Sequence, residues 1–253
     1  MNVDVSRDLS ELTARAQSKL LRLANDTIVR HGRFTVALSG GSTPRALYTS
    51  LAATTVNKSK WHFFFSDERN VPPDDEQSNL RMARETFLDS IPPADRNVYA
   101  WGAGAGEPAQ IADDYSHRIY SHFGLVAEPE DDGVRESGEI PRFDLILLGL
   151  GNDGHTASLF PNTAALNEER ITAANFVPQL NSWRFTMSFP LINNARNIMF
   201  LVSGSEKAVT LRNVLQGERQ PNELPAQSVE PVDGDLEWFV DEAAAEFLGT
   251  MII

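Results

Sequence analysis

The sequence predicts an α/β protein built on a doubly wound, mostly parallel sheet flanked by helices. Three observations point there. Short apolar runs of strand length (Phe34–Leu38, Trp61–Phe65, Phe143–Leu148, Asn197–Val202) lack polar alternation, as strands buried on both faces of a parallel sheet do. Segments with apolar residues at helical spacing lie between them. Several of the runs break directly into Gly, Ser, Thr or charged residues, the composition of loops at the carboxyl ends of parallel strands, where open α/β sheets bind ligands.

Taken in order, Arg7 to Arg30 has the pattern of a long amphipathic helix ended by His31-Gly32. The strand Phe34–Leu38 runs into Ser39-Gly40-Gly41-Ser42-Thr43-Pro44 and a helix over Arg45 to Leu51. Gly40, Gly41, Ser42 and Thr43 at a helix N-terminus form an anion cradle, because free N–H groups and the helix dipole both favour negative charge. A plain turn with a hydroxyl cap is the competing reading. No Gly-Lys-Ser/Thr follows, so this is not a Walker loop. Trp61–Phe65 ends in Ser66-Asp67-Glu68-Arg69-Asn70-Val71-Pro72, placing three charges on the ligand edge unless they form a solvated loop.

Gln77 to Ile91 is expected to be helical, with Ser78-Asn79 near its start, and Val98–Ala100 a short strand. Glu107 to Phe123 is an amphipathic helix whose His117 and His122 are assigned no ligand role. No H-x-x-x-H or H-E-x-x-H pair occurs, so no metal is expected. The acidic stretch 126–141 is taken as an exposed excursion within a single domain spanning 1–253.

Beyond the central strand, Arg170–Ala173 and Arg184–Phe189 are expected strands. Asn197–Val202 feeds Ser203-Gly204-Ser205-Glu206-Lys207-Ala208 and a helix to Leu215. Lys207 in a first helical turn opposes the dipole by roughly a few tenths of a kcal/mol unless an anion sits there. Leu224–Ala226 and Leu236–Val240 precede a last short helix capped by Asp241.

Bulk properties narrow the function. The chain has 253 residues, enough for a sizeable core, with 42% hydrophobic and 23% charged residues. It has no cysteine, which excludes disulfides, thiolate nucleophiles and cysteine-ligated zinc. No signal-peptide core and no apolar run of about eighteen residues occurs, so the expected location is cytoplasmic and the sequons at Asn25 and Asn57 carry no weight. A net charge of −13 and a pI near 4.8 argue against nucleic acid and anionic membrane as partners. An anionic small molecule would need a local cluster of cations. The expected assembly is a monomer or weak homo-oligomer.

The most informative stretch is Phe143 to Pro161, an apolar strand that breaks into Gly149-Leu150-Gly151-Asn152-Asp153-Gly154-His155. It satisfies the dinucleotide pattern G-x-G-x-x-G, but that motif should open a helix, and Pro161 follows within a few residues. The alternative is a loop that presents Asp153 and His155.

Five pieces in this order resemble the 6-phosphogluconolactonase family: Leu38–Pro44; Ser66–Pro72 with Ser78-Asn79; Gly149–Pro161; Arg184–Pro190; and Gly204–Ala208. The run Gly149-Leu-Gly-Asn-Asp-Gly-His-Thr-Ala-Ser-Leu-Phe-Pro161 is the most specific. The resemblance spans nearly the whole chain and implies the three-layer fold of sugar-phosphate isomerases and deaminases. It also implies hydrolysis of 6-phospho-D-glucono-1,5-lactone to 6-phospho-D-gluconate, in the oxidative pentose phosphate pathway, without metal or cofactor. The glucosamine-6-phosphate deaminase relatives follow Asp-Gly-His with Asn-Glu-Pro and carry Tyr after the Asp-Glu pair. Phe160 and Arg69 stand at those places here, which favours the lactonase. A non-catalytic sugar-phosphate sensor is a third reading, disfavoured because the chain has no spare length for a regulatory segment.

A lactone is an activated acyl group, so a positioned base, giving about 10²–10⁴-fold, and oxyanion donors, giving about 10²–10³-fold each, suffice without a covalent nucleophile. No G-x-S-x-G is present. His155 is the candidate general base, its unperturbed pKa lying near working pH. Asp153 either orients the imidazole, holds a sugar hydroxyl or caps the glycine turn. Arg69 is the candidate for the lactone carbonyl or ring hydroxyls, with Asp67 and Asn79 shaping that side. The resemblance places Arg184 and Lys207 with the Gly40–Thr43 cradle as the phosphate holders.

Overall fold

The computed structural model describes residues 2–125 and 139–249, and the backbone alone of 128–130 and 133–135. The chain opens with β1 (Asn2–Ser6), α1 (Leu9–His31), β2 (Phe34–Leu38) and α2 (Ser42–Ala52). Next come β3 (Trp61–Phe65), β4 (Asp67–Arg69), α3 (Asn79–Thr86), β5 (Asn97–Val98) and α4 (Pro108–Phe123). After β6 (Glu128–Glu130) and β7 (Gly133–Arg135) follow β8 (Leu145–Leu148), β9 (Thr172–Val177), β10 (Ser182–Met187) and α5 (Phe189–Asn193). The last elements are β11 (Asn197–Val202), α6 (Ala208–Gln216) and β12 (Asp235–Asp241).

Seven strands form one sheet in the order β1-β12-β11-β8-β2-β3-β5, every neighbouring pair parallel. The central strands β2 and β8 are buried along their whole length, which is why their sequences carry no polar alternation. The chain runs outward from β2 through β3 to β5 on one side, and from β8 through β11 to β12 on the other. The order therefore reverses between β2 and β8, and the crevice at their carboxyl ends is the place an open α/β sheet offers a ligand.

Local signals explain the long first helix. Asp8 caps it, its carboxylate accepting from Glu11 N at 2.9 Å, and Gly32 closes it with φ 78° while donating to Ile28 O at 2.9 Å. Leu12, Ala16, Leu20 and Ala24, four apart, make its buried stripe.

Several expectations need correction. Asn2–Ser6 is an edge strand paired parallel to β12, with Val3 opposite Trp238, where no strand was expected. Five residues with two valines give too little periodicity, and the neighbour supplies the pairing. Asp67–Arg69 is not a loop: it is the edge of a second sheet, β4-β10-β9, antiparallel throughout. In that sheet β9 extends beyond the expected Ala173, and β10 begins two residues before the expected Arg184. A tight turn over Pro178–Leu180 and Asn181 at φ 43° close the hairpin and set the register. The helix expected over 77–91 ends at Thr86, where Phe87 leaves helical geometry at φ −157°. No helix begins at Asp241. That residue ends β12, and its carboxylate accepts from Ala244 N and from Gly204 N, tying down the loop ahead of α6. The expected excursion at 126–141 lies largely outside the described residues; β6 and β7 pair antiparallel. Among the described residues no helix is long and apolar enough to cross a membrane.

His122 illustrates how packing sets a charge state. Its ring sits 4.7 Å from His62, 4.9 Å from Tyr99 and 5.1 Å from Phe64. Burial, with Arg33 and His62 nearby, pushes it down to about 4. Between about pH 6.5 and 4 the unfolded chain holds a proton here that the native chain refuses, so this contribution to stability falls as pH falls through that window. Discounted for partial exposure, the loss is about 1 kcal/mol. Thermal unfolding at pH 5 and pH 7 should show His122→Phe less acid-sensitive than the parent, and an unchanged difference would remove His122 as the cause.

Candidate active site

The site is assembled from three loops at the carboxyl edge and the short strand β4, centred on the crevice between β2 and β8. A cleft of about 210 Å³ is lined by Ser39, Gly40 and Gly41 after β2, Asp67 and Arg69 on β4, Gly149 to Gly151, His155 and Ala157 after β8, and Lys207 ahead of α6. Three larger clefts among the described residues, of about 590, 540 and 350 Å³, lie away from this edge. In the second, Arg142 and Arg196 are already engaged by Asp233 and Asp144, and Arg33 donates to the His122 carbonyl. Polar and titratable groups from separate segments converge in the small cleft at the carboxyl edge.

The β8 loop holds an imidazole against a carboxylate. His155 Nδ1 lies 2.5 Å from Asp153 Oδ1, and the His155 backbone N–H donates to the same oxygen at 3.2 Å. A carboxylate can only accept, so Nδ1 carries a proton, and in the neutral ring Nε2 is the nitrogen that keeps the lone pair. Nε2 has no protein partner among the described residues. Burial pushes the Asp153 carboxyl up, but the hydrogen bonds from His155, together with its charge whenever the ring is protonated, outweigh it and hold Asp153 below the usual carboxylate range. Gly151 makes this pair possible, since a Cβ there would stand 2.1 Å from His155 Nδ1 and 2.6 Å from Asp153 Oδ1.

The β2 turn is braced from beneath. Buried Tyr48 accepts from Ser39 N at 2.9 Å and donates to Ser39 O at 2.8 Å. A Cβ on Gly40 would lie 2.1 Å from Asn79 Oδ1, so glycine lets the turn settle onto Asn79. Asn79 does not line the cleft: its amide donates to Asp67 O at 3.0 Å and Asp67 Oδ1 at 3.2 Å. Ser42 and Thr43 form the first turn of α2 behind the two glycines.

The short sheet delivers the arginines. Arg69 on β4 lies directly opposite Arg184 on β10. Like charges so placed repel. Burial, and then the charge of Arg69, push Arg184 below its ordinary value. Arg69 lines the cleft, its guanidinium donating to Gln77 O, whereas Arg184 donates to Ser182 Oγ at 2.7 Å and to Trp183 O at 3.1 Å, beside the cleft. Lys207 Nζ reaches across from the other side and donates to Asn152 Oδ1 at 2.6 Å.

Glu68, the middle charge of its run, turns away from the ligand edge. It is buried and accepts from the backbone N–H groups of Asn79 at 2.7 Å and Leu80 at 2.9 Å, anchoring the start of α3. Residues that sequence reasoning did not single out complete the frame. Ser158 Oγ donates to Asp67 Oδ2 at 2.7 Å, and buried Asn175 donates to Ser158 O at 2.9 Å. An asparagine inside the apolar run Ala173-Ala174-Asn175-Phe176-Val177 was the available signal. Ala157, at φ 48°, is a strained non-glycine residue on the cleft wall.

A doubly wound sheet that brings a glycine turn, an Asp–His pair, Arg69 and Lys207 together at its switch point has the arrangement of an enzyme site. The family described as glucosamine-6-phosphate isomerases/6-phosphogluconolactonase matches residues 7–238, and the chain belongs to it. It is 39% identical to a 6-phosphogluconolactonase of Synechocystis over 97% of this chain and 98% of that one. It is 36% identical to one from Nostoc over 96% of both. The structure of 6-phosphogluconolactonase from Trypanosoma cruzi superposes with a TM-score of 0.84 at 30% identity, covering 98% and 97% of the two chains. A monomeric glucosamine-6-phosphate deaminase shares the fold, at a TM-score of 0.74 and 21% identity.

Proposed function

We propose that the cleft hydrolyses 6-phospho-D-glucono-1,5-lactone to 6-phospho-D-gluconate, with His155 as general base. The observation that carries this is the Asp153–His155 pair, whose unpartnered Nε2 belongs to a ring lining the same small cleft as Arg69 and Lys207. The named relatives supply the substrate class. His155 Nε2 takes a proton from water, and the oxygen adds to the lactone carbonyl carbon. The carbonyl becomes an oxyanion beside the Arg69 guanidinium, which supplies charge already in place. Collapse breaks the bond between that carbon and the ring oxygen, and the imidazolium returns its proton to the departing oxygen. The product acid ionises and releases one proton.

Phosphate binds on the Gly40–Thr43 turn with Lys207, drawing in Arg184 from its place beside Arg69. A phosphate held by Arg184 offsets the like charge that it faces on Arg69, and a lysine ahead of α6 is compensated in the same way. Asp67, held by Ser158 and Asn79, faces the sugar hydroxyls.

The test is proton release from freshly made lactone at neutral pH, with the spontaneous rate subtracted. Saturable acceleration is expected, and none at all would end this reading. Lys207→Ala should raise KM about tenfold or more while kcat stays close to wild type, in line with loss of a hydrogen bond to a charged group. An unchanged KM would take Lys207 out of the phosphate site.

A further inference from the structure

We propose that Phe160 is a positioning residue for the base: its ring backs the His155 imidazole and fixes the direction in which Nε2 points. This rests on the reading of His155 as general base. The two rings stack with centroids 4.0 Å apart and planes inclined by 25°. His155 lines the cleft and Phe160 does not, so the phenyl ring stands behind the imidazole. The hydrogen bond to Asp153 holds one edge of the imidazole but leaves rotation about the line joining Nδ1 and Oδ1. Asp153 is itself a poor anchor, with its side chain 48% exposed. A ring packed flat against one face removes that rotation.

The corner that carries Phe160 is built to stay in place. Phe160 is buried, and Pro161 after it disfavours helical backbone at Phe160. Thr163 Oγ1 donates to the Phe160 carbonyl at 2.8 Å, and Asn175 Nδ2 donates to that same Thr163 hydroxyl at 3.0 Å. Asn162 takes φ 57° and donates to the Asn222 carbonyl at 3.0 Å. A chain of contacts thus runs from Asn175 on β9, through Thr163, to the phenyl ring and then to the imidazole. Asp153 and Phe160 share the work, one on the edge and one on the face.

The experiment compares Phe160→Leu, which keeps an apolar side chain, with Phe160→Tyr, which keeps a flat ring. Misplacing a reacting group by about 1 Å costs up to about 10²-fold, so Phe160→Leu should lose roughly ten- to a hundredfold in kcat. KM and inhibition by 6-phosphogluconate should stay within about twofold, because Phe160 does not touch the phosphate side, and Phe160→Tyr should recover most of the turnover. Near-normal kcat in Phe160→Leu, or equal loss in both variants, would overturn the proposal. A second readout does not depend on folding of a variant. In the wild type, the carbon-bound protons of His155 should resonate upfield of those of a free imidazole, shielded by the phenyl face, and ordinary shifts would equally overturn it. If His155→Ala instead turns over normally while the upfield shifts persist, the general-base reading fails and the stacking stands.

Discussion

His155→Ala is expected to cost about 10²–10⁴-fold in kcat for the phosphorylated lactone, the typical worth of a positioned general base. KM should change little, because the cations proposed for the phosphate, Lys207 and Arg184, come from other segments of the fold. The residual rate should still exceed the spontaneous one, since Arg69 and the glycine turn remain. Proton release measured for parent and variant side by side decides the matter. Turnover close to wild type would mean that another group, or water unaided, removes the proton.

Gly151→Ala is expected to be nearly as damaging, though Gly151 carries no chemistry. Its φ is not in the left-handed region, so alanine is compatible with the backbone. The new methyl, however, would meet His155 Nδ1 at 2.1 Å and Asp153 Oδ1 at 2.6 Å. Those side chains are the ones able to yield, and yielding breaks their mutual hydrogen bond. The variant should therefore fold and bind 6-phosphogluconate normally, yet lose about 10²-fold in kcat. An unaltered kcat would show that the Asp153–His155 contact is dispensable. Loss of product binding as well would point to wider damage in the loop.

Much of the lining of the candidate cleft was legible in residue order. Gly40-Gly41, Asp67, Arg69, Gly151, His155 and Lys207 stand in segments that interrupt apolar strands, and strand ends on one edge of a parallel sheet are forced into proximity. What resisted reading was everything decided by partners remote in sequence. Asp67-Glu68-Arg69 reads as three charges on the ligand edge until β10 pairs with it, which buries Glu68 and sets Arg69 opposite Arg184. Asn79 belongs to the site by sequence, but packing puts it beneath Gly40 as a support for Asp67. Asp241 has the look of a helix cap, and instead its carboxylate ties down the loop that leads to Lys207.

By itself, then, the sequence determined the strand cores, the long capped helix and the switch-point loops, because buried apolar runs, caps and glycine turns are local in origin. The tertiary structure alone decided the edge strand β1, the second sheet, the opposition of Arg69 and Arg184, and the stacking of Phe160 on His155. Each of those depends on a partner whose position a short window of residues does not encode. Strand register and ring packing are fixed only when the segments meet.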